Sequence, residues 1–365
     1  MLEQAFKCLS PKFSAAYQVL LSRELPSDPL LGLVNDKYRQ YATSDSVLPR
    51  PILAYMGYHA MSEHVDFSDT DGLLDMLLIA QLLRDILAIH DDVVDEDREK
   101  FGAPTLPLSF SSDLGLKGEL TRGGKDMAIF YGDILFGVLG RLIGKLPLHT
   151  LTRVQQLVGE TLAVTSSGQV EELLIENSPV LDTSVETILR IAERKAARYC
   201  YVFPFCLGAY LAGHSDEDIG SGASLLLAIG RASQVIDDIT GAFPGVVDED
   251  KDSIGEIRSL RRTVPLVLFA QINSMDASSR RLLTQPPPLS HEDAIALRFA
   301  MWKSEAPQRA LELCEAQLTA ALRGLALMES ENRIGGPTKE YLADLIEFRL
   351  RGSLERLRKG ISEIR

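Results

Sequence analysis

Five aspartates in two short clusters are the residues best suited to chemistry in this chain. Asp91, Asp92 and Asp95 close a long apolar segment, and Asp237 and Asp238 follow Gln234-Val235-Ile236. On a helix, residues i and i+4 share a face, so Asp91 and Asp95 project side by side, with Ala88 and Arg84 continuing that face one and two turns earlier. Like charges so placed destabilise a helix unless a cation or a basic partner neutralises them. Oxygen ligands of this kind suit Mg²⁺, which takes one or two protein carboxylates and completes its shell with water and phosphate oxygens. Taken alone, the first cluster is equally well read as an acidic helix end in solvent, continuing into Glu96 and Asp97. The second cluster favours the metal, because Gly230, Gln234, Asp237 and Gly241 fall on one helical face. Two aspartate pairs at the carboxyl ends of two hydrophobic helices, facing across a cavity, would hold several Mg²⁺ ions around a diphosphate.

The elements that must position these residues are helical. Helical periodicity runs over 73–94, preceded by the N-cap types Ser68, Asp69, Thr70 and Asp71. It continues over 128–146, 150–175, 187–212, 221–240, 265–272, 292–303 and 307–328, and closes with an Arg- and Glu-laced amphipathic stretch, 339–364. Alternating segments bounded by tight turns are scarce. Breaks fall at 101–124, 176–183, 241–255 and 285–290, and none has the length of a domain linker. The expectation is one all-α domain over residues 1–365, a bundle of roughly ten or more helices around a central cavity.

Composition agrees with an enzyme of this kind. The 365 residues are 45% hydrophobic and 24% charged, which is globular composition. The formal charge of −13 argues against nucleic acid as a partner, so an anionic substrate needs a local basic patch or bridging metal. Four cysteines without CxxC or Cys/His spacing argue against zinc and against a disulfide framework. No apolar run reaches the ~18 residues of a membrane span, and the amino terminus does not read as a secretory signal, so the cytoplasm is the default location.

The ordered motifs resemble the trans-isoprenyl diphosphate synthases, the all-α family of farnesyl and geranylgeranyl diphosphate synthases. Asp91, Asp92 and Asp95 match its DDxxD, followed at the family spacing by Gly102-Ala103-Pro104-Thr105 for GxPT. Gly132-Asp133 looks like its GD, Gly168-Gln169 with Glu172 like its GQxxD, and Lys195 like the lysine of its KT motif, although Ala196 follows. Gln234-Val235-Ile236-Asp237-Asp238 is similar to the second aspartate-rich motif, with Lys251 and Arg261-Arg262-Thr263-Val264-Pro265 downstream. The resemblance implies a helical fold and Mg²⁺-dependent ionisation of an allylic prenyl diphosphate, with prenyl transfer to an acceptor, in a homodimer. It assigns Asp91, Asp95 and Asp237 as ligands of three Mg²⁺ ions, and Asp92 and Asp238 as acceptors for metal-bound waters. Lys100, Lys195, Lys251 and, more weakly, Arg261 would hold the departing diphosphate, with Gln234 beside them.

The departures concern the acceptor. The family's early GGKxxRP is Ser46-Val47-Leu48-Pro49-Arg50-Pro51 here, so Arg50 remains while Val47 replaces the lysine. The family's paired arginines become Lys100-Phe101, and Arg84 stands where the family often has His. Two cations that would hold isopentenyl diphosphate are thus apolar, which predicts weak chain elongation unless Arg50 or Arg84 compensates. Gly123-Gly124-Lys125 lies outside the register of the lost motif. The third acid of the second motif is Gly241, and Asp248, Glu249, Asp250 and Asp252 sit in an expected loop after it. Ile86 and Leu87 permit a medium pocket below the first motif. Tyr199, Tyr201, Phe203 and Phe205 read as cavity lining or, more simply, as core. A terpene cyclase on the same fold and a non-catalytic subunit of a prenyl synthase are the alternative functions.

Overall fold

The computed structural model describes residues 1–44, 48–100, 103–113, 119–243 and 254–364. Its helices, in chain order, are α1 (Leu2–Glu24), α2 (Gly32–Ser44), α3 (Pro49–Tyr58), α4 (Leu74–Val94), α5 (Leu106–Asp113) and α6 (Arg122–Ile143). They continue with α7 (Leu148–Glu176), α8 (Val185–Ala192), α9 (Phe203–Leu211), α10 (Asp216–Ile219), α11 (Gly222–Ala242) and α12 (Ile254–Arg258). The last six are α13 (Val264–Ala270), α14 (Ala277–Thr284), α15 (His291–Lys303), α16 (Ala306–Ser330), α17 (Gly336–Asp344) and α18 (Gly352–Ile364). Among the described residues the only strands are β1 (Glu99–Lys100) and β2 (Ala103–Pro104), paired antiparallel with Lys100 opposite Ala103. The all-α expectation holds.

Two compact units make up the chain: Met1–Val158 with Phe203–Asp218 and Gly335–Thr338, and Gly159–Val202 with Ile219–Ile334 and Lys339–Arg365. In the first, α4 is buried over most of its length, from Leu77 and Leu78 through Leu83, Ile86 and Ile89, as an apolar helix must be. It is packed by α3, α5, α6 and α9. Two glycines let α3 and α9 touch backbone to backbone: a Cβ at Gly208 would lie 1.8 Å from the Ala54 carbonyl oxygen, and one at Gly57 2.1 Å from that of Phe205. Phe203 and Phe205 are fully buried in this unit, so they are core, the simpler of the two readings.

In the second unit α11 is the central helix, packed by α16 and by Glu193–Val202, a π-helical stretch that joins α8 to α9 without a break. A Cβ at Gly230 would lie 2.2 Å from that of Ala197, so this glycine sets the close approach of α11 to the π-helical stretch. The expected single helices 187–212 and 339–364 therefore each contain π-helical turns, the second at Leu345–Arg351. Helices α1 to α3 lie upstream of every segment anticipated, and the expected break 101–124 contains α5 and the start of α6.

Candidate active site

The first aspartate cluster closes α4. Glu96 takes a left-handed φ of 56°, and the Asp97 N–H donates back to the Asp92 carbonyl, a six-to-one closure that ends the helix. Thr105, fully buried, ties the following hairpin down: its N–H donates to the Arg98 carbonyl at 3.0 Å and its hydroxyl to that of Asp97 at 2.6 Å. The hairpin returns Lys100 to the helix end. Its ammonium lies 2.5 Å from Asp92 Oδ1 and 3.6 Å from Asp91 Oδ2.

These neighbours give the three aspartates different surroundings. Asp92 is completely buried, and its second oxygen accepts the Tyr41 hydroxyl at 3.1 Å. Burial pushes its carboxyl up to about 6 despite the opposing pull of Lys100. Burial alone would lower the Lys100 ammonium, but Asp92 and Asp91 hold it above its ordinary value. Asp91 and Asp95 are half-buried.

Of the cations expected on the acceptor side, Arg50 is half-buried in the first turn of α3. Arg84 is buried, with Nη1 3.0 Å from Asp85 Oδ1. Asp85 is also the acceptor for Tyr17 (2.7 Å), Tyr38 (2.8 Å) and Gln81 (2.8 Å), a closed polar knot joining α1, α2 and α4. Lys125, set aside by register, forms an ion pair with Glu96 at the tail of the cluster. Only the packing of α6 on α4 could reveal that, and Gly132 permits it: a Cβ there would lie 2.5 Å from His90 Nε2. Val47 and Phe101 lie outside the described residues.

In the second unit Asp237 is exposed near the end of α11, whereas Asp238 is 8% exposed. Asp238 Oδ1 accepts the Gln234 amide at 2.9 Å, and Oδ2 accepts the Val264 N–H at 2.8 Å, which seats the first turn of α13 on α11. Burial pushes its carboxyl up to about 7 against those two donors, with the charges of Glu256 and Asp237 adding to the rise. Gln234, expected at the diphosphate, is thus the partner of Asp238. At Gly241 a Cβ would lie 2.5 Å from Glu256 Oε2, so a carboxylate from α12 stands against the position of the absent third acid. Asp248, Glu249, Asp250 and Asp252, placed in an expected loop, lie with Lys251 outside the described residues.

Lys195 lies in the π-helical stretch, 2.6 Å from Glu172 Oε2 on α7. A Cβ at Gly168 would lie 2.8 Å from the Lys195 nitrogen, so the glycine–glutamate pair of α7 seats this lysine from two sides. Arg261 is half-buried after α12, while its neighbour Arg262 is buried and donates to the Glu176 carbonyl at 3.1 Å and to that of Ser178. Arg262 is thus a clamp on the end of α7. Among the described residues no three His, Cys, Asp or Glu side chains gather as a ready-made metal cage. Asp91, Asp95 and Asp237, as hard oxygen donors in ones and twos, fit Mg²⁺, whose shell is completed by water and phosphate oxygens.

The chain is similar to known prenyl diphosphate synthases. The geranylgeranyl diphosphate synthase of Sulfolobus acidocaldarius is 23% identical over 268 residues, 72% of this chain and 76% of the relative. The nonaprenyl diphosphate synthase of Mycobacterium tuberculosis is 23% identical over 330 residues, 89% and 86% of the two chains. The fold matches the crystal structure of geranylgeranyl pyrophosphate synthase from Corynebacterium glutamicum, complexed with isoprenyl diphosphate and magnesium. That match has a TM-score of 0.78 and 22% identity, covering 97% of this chain and 98% of the other. The Polyprenyl synthetase profile matches residues 33–292, and the chain belongs to that family.

Proposed function

We propose that this protein is a prenyltransferase that ionises an allylic prenyl diphosphate with the help of Mg²⁺ and passes the prenyl group to an acceptor. The observation that carries the reading is the division of labour within DDxxD: Asp92 buried against Lys100 and Tyr41, Asp91 and Asp95 left nearer solvent. Homology to prenyl diphosphate synthases supports transfer over cyclisation or a purely regulatory role. Asp91 on α4, Asp95 at its C-cap and Asp237 on α11 are the metal ligands, and three ions is the number expected with substrate bound. Held there, Mg²⁺ would supply charge neutralisation for a diphosphate as its C–O bond ionises.

The protein's own residues then have defined tasks. Asp92 anchors the Lys100 ammonium beside Asp91, where it can follow the charge of the leaving diphosphate. Asp238 fixes α13 to α11 and so orients Asp237. Lys195, Lys251 and Arg261 hold the diphosphate, and Arg50 and Arg84 serve the acceptor. The protein acts as a homodimer in the cytoplasm, and the exposed apolar side chains Ile129, Phe130 and Phe136 of α6 support the dimer.

Asp91→Ala and Asp237→Ala test the assignment. Each should lower Mg²⁺-dependent diphosphate release by about a hundredfold or more, as loss of a metal ligand does, with unchanged circular dichroism. Release at the parent rate in both variants would refute the metal ligands.

A further inference from the structure

Three buried polar atoms on α7 and the π-helical stretch have no hydrogen-bond partner among the described residues: Thr165 Oγ1, Gln169 Nε2 and Arg198 Nε. All three belong to the second unit. Ion pairs fix the register of the two elements. Glu171 pairs with Arg190 (2.5 Å) and Arg194 (3.0 Å), and Glu172 with Lys195 (2.6 Å), while Gly168 abuts Arg194 and Lys195. From the Glu171–Arg190 pair to Gly168 against Arg194 and Lys195, positions fall along α7 as they rise along the partner, so the two run antiparallel, and one further turn of each brings Thr165 level with Arg198 and Tyr199. Thr165, Gln169 and Glu172 share one stripe of α7 by helical spacing. The stripe that holds the Glu172–Lys195 pair therefore continues into the unpartnered atoms.

Arg190, Arg194 and Lys195 each have an acid, but Arg198 has no ion pair or hydrogen bond among the described residues. Thr165 is only 5% exposed, so bulk water does not satisfy its hydroxyl. Leaving the buried Gln169 Nε2 and Arg198 Nε donors without an acceptor is unfavourable. Unpartnered N–H groups of Arg198 and Gln169 beside a lysine call for an anion, and the planar guanidinium fork matches a phosphate group.

We propose that Arg198, Gln169 and Thr165 form an anion subsite beside Lys195 that takes the phosphate end of a diphosphate. The proposal rests on the prenyl-transfer reading, in which diphosphates are both substrate and product. The leaving diphosphate and the diphosphate of an isoprenoid acceptor share that chemistry, and separate titrations tell them apart.

The test is calorimetric titration of the intact protein, with Mg²⁺, by inorganic diphosphate and separately by isopentenyl diphosphate. Arg198→Leu should weaken at least one of these by about tenfold or more, the loss expected for a charge-assisted contact. Its Tm should stay level or rise, because an unpartnered donor has been removed. Weakening for inorganic diphosphate alone assigns the leaving group, and weakening for isopentenyl diphosphate alone assigns the acceptor. Weakening for both assigns a subsite shared by the two. Arg198→Lys, which keeps the charge but lacks Nε, should fall between parent and Leu variant, and serves alone should the Leu variant not fold. Parent-like affinity for both probes, or loss of binding together with a Tm lowered by several degrees in both variants, would overturn the proposal, as would a parent that binds neither probe. Turnover of an allylic diphosphate by the parent is measured alongside, so failure of the functional reading is seen separately.

Discussion

Asp92 and Asp238 play matching parts at the residue scale. Each is the buried neighbour of a more exposed aspartate, each is held by donors from another segment, and each is pushed up, to about 6 and about 7. A carboxyl raised above its unfolded value binds more protons folded than unfolded across that interval. The stability it contributes is therefore complete below about pH 4 and lost as pH rises through the folded value. For metal-free protein this predicts a thermal midpoint that declines between about pH 4 and 7 through these two groups. Asp238→Asn should melt with the parent near pH 5 and above it near pH 8, measured by scanning fluorimetry in chelator. Curves that run parallel across the range would show that Asp238 is not titrating there. The roles of these two residues were not legible in the motifs, because they depend on Tyr41, on the fold-back of Lys100 and on the Val264 N–H, all distant in sequence. The clusters themselves were legible, since each closes an apolar segment and the two together favour a shared cation over a solvated helix end.

At the scale of elements, α4 and α11 could be read from the sequence because their apolar positions repeat over five turns or more and polar residues flank them. The row Ala5, Leu9, Phe13, Tyr17, Leu20 of α1 carries the same signal, but Pro11 interrupts its appearance as a helix. Proline is tolerated there on the exposed face. The π-helical stretches were not legible, since an inserted residue changes the hydrogen-bond period without changing composition. Nor was the meeting of Gly241 with Glu256, which depends on where α12 packs. That meeting yields a prediction. Gly241→Asp, which restores the family's third acid, should lower stability by about 1–3 kcal/mol through overpacking and like charge, read by denaturant titration. Glu256→Ala should suppress that loss in the double variant. Additive losses in the double variant would mean that the two positions do not compete for one space.

At the scale of the whole molecule, the net charge of −13 and the exposed apolar residues of α6 bear on assembly. Phe130 is 68% exposed, more than a lone surface aromatic needs beside Ile129 and Phe136. Light scattering at micromolar concentration should give a dimer, and Phe130→Glu with Phe136→Glu should give a monomer that keeps its helical content. A parent that scatters as a monomer would reject the assembly. Metal-dependent prenyl transfer is put to the test by product analysis of the parent enzyme. A single allylic prenyl diphosphate is supplied with Mg²⁺, with and without isopentenyl diphosphate over a wide concentration range. Consumption should require both Mg²⁺ and the acceptor and yield a longer prenyl diphosphate, with acceptor saturation well above the low-micromolar range if Val47 and Phe101 have weakened its site. Hydrocarbon or alcohol formed without the acceptor, or no turnover at any concentration, would contradict it.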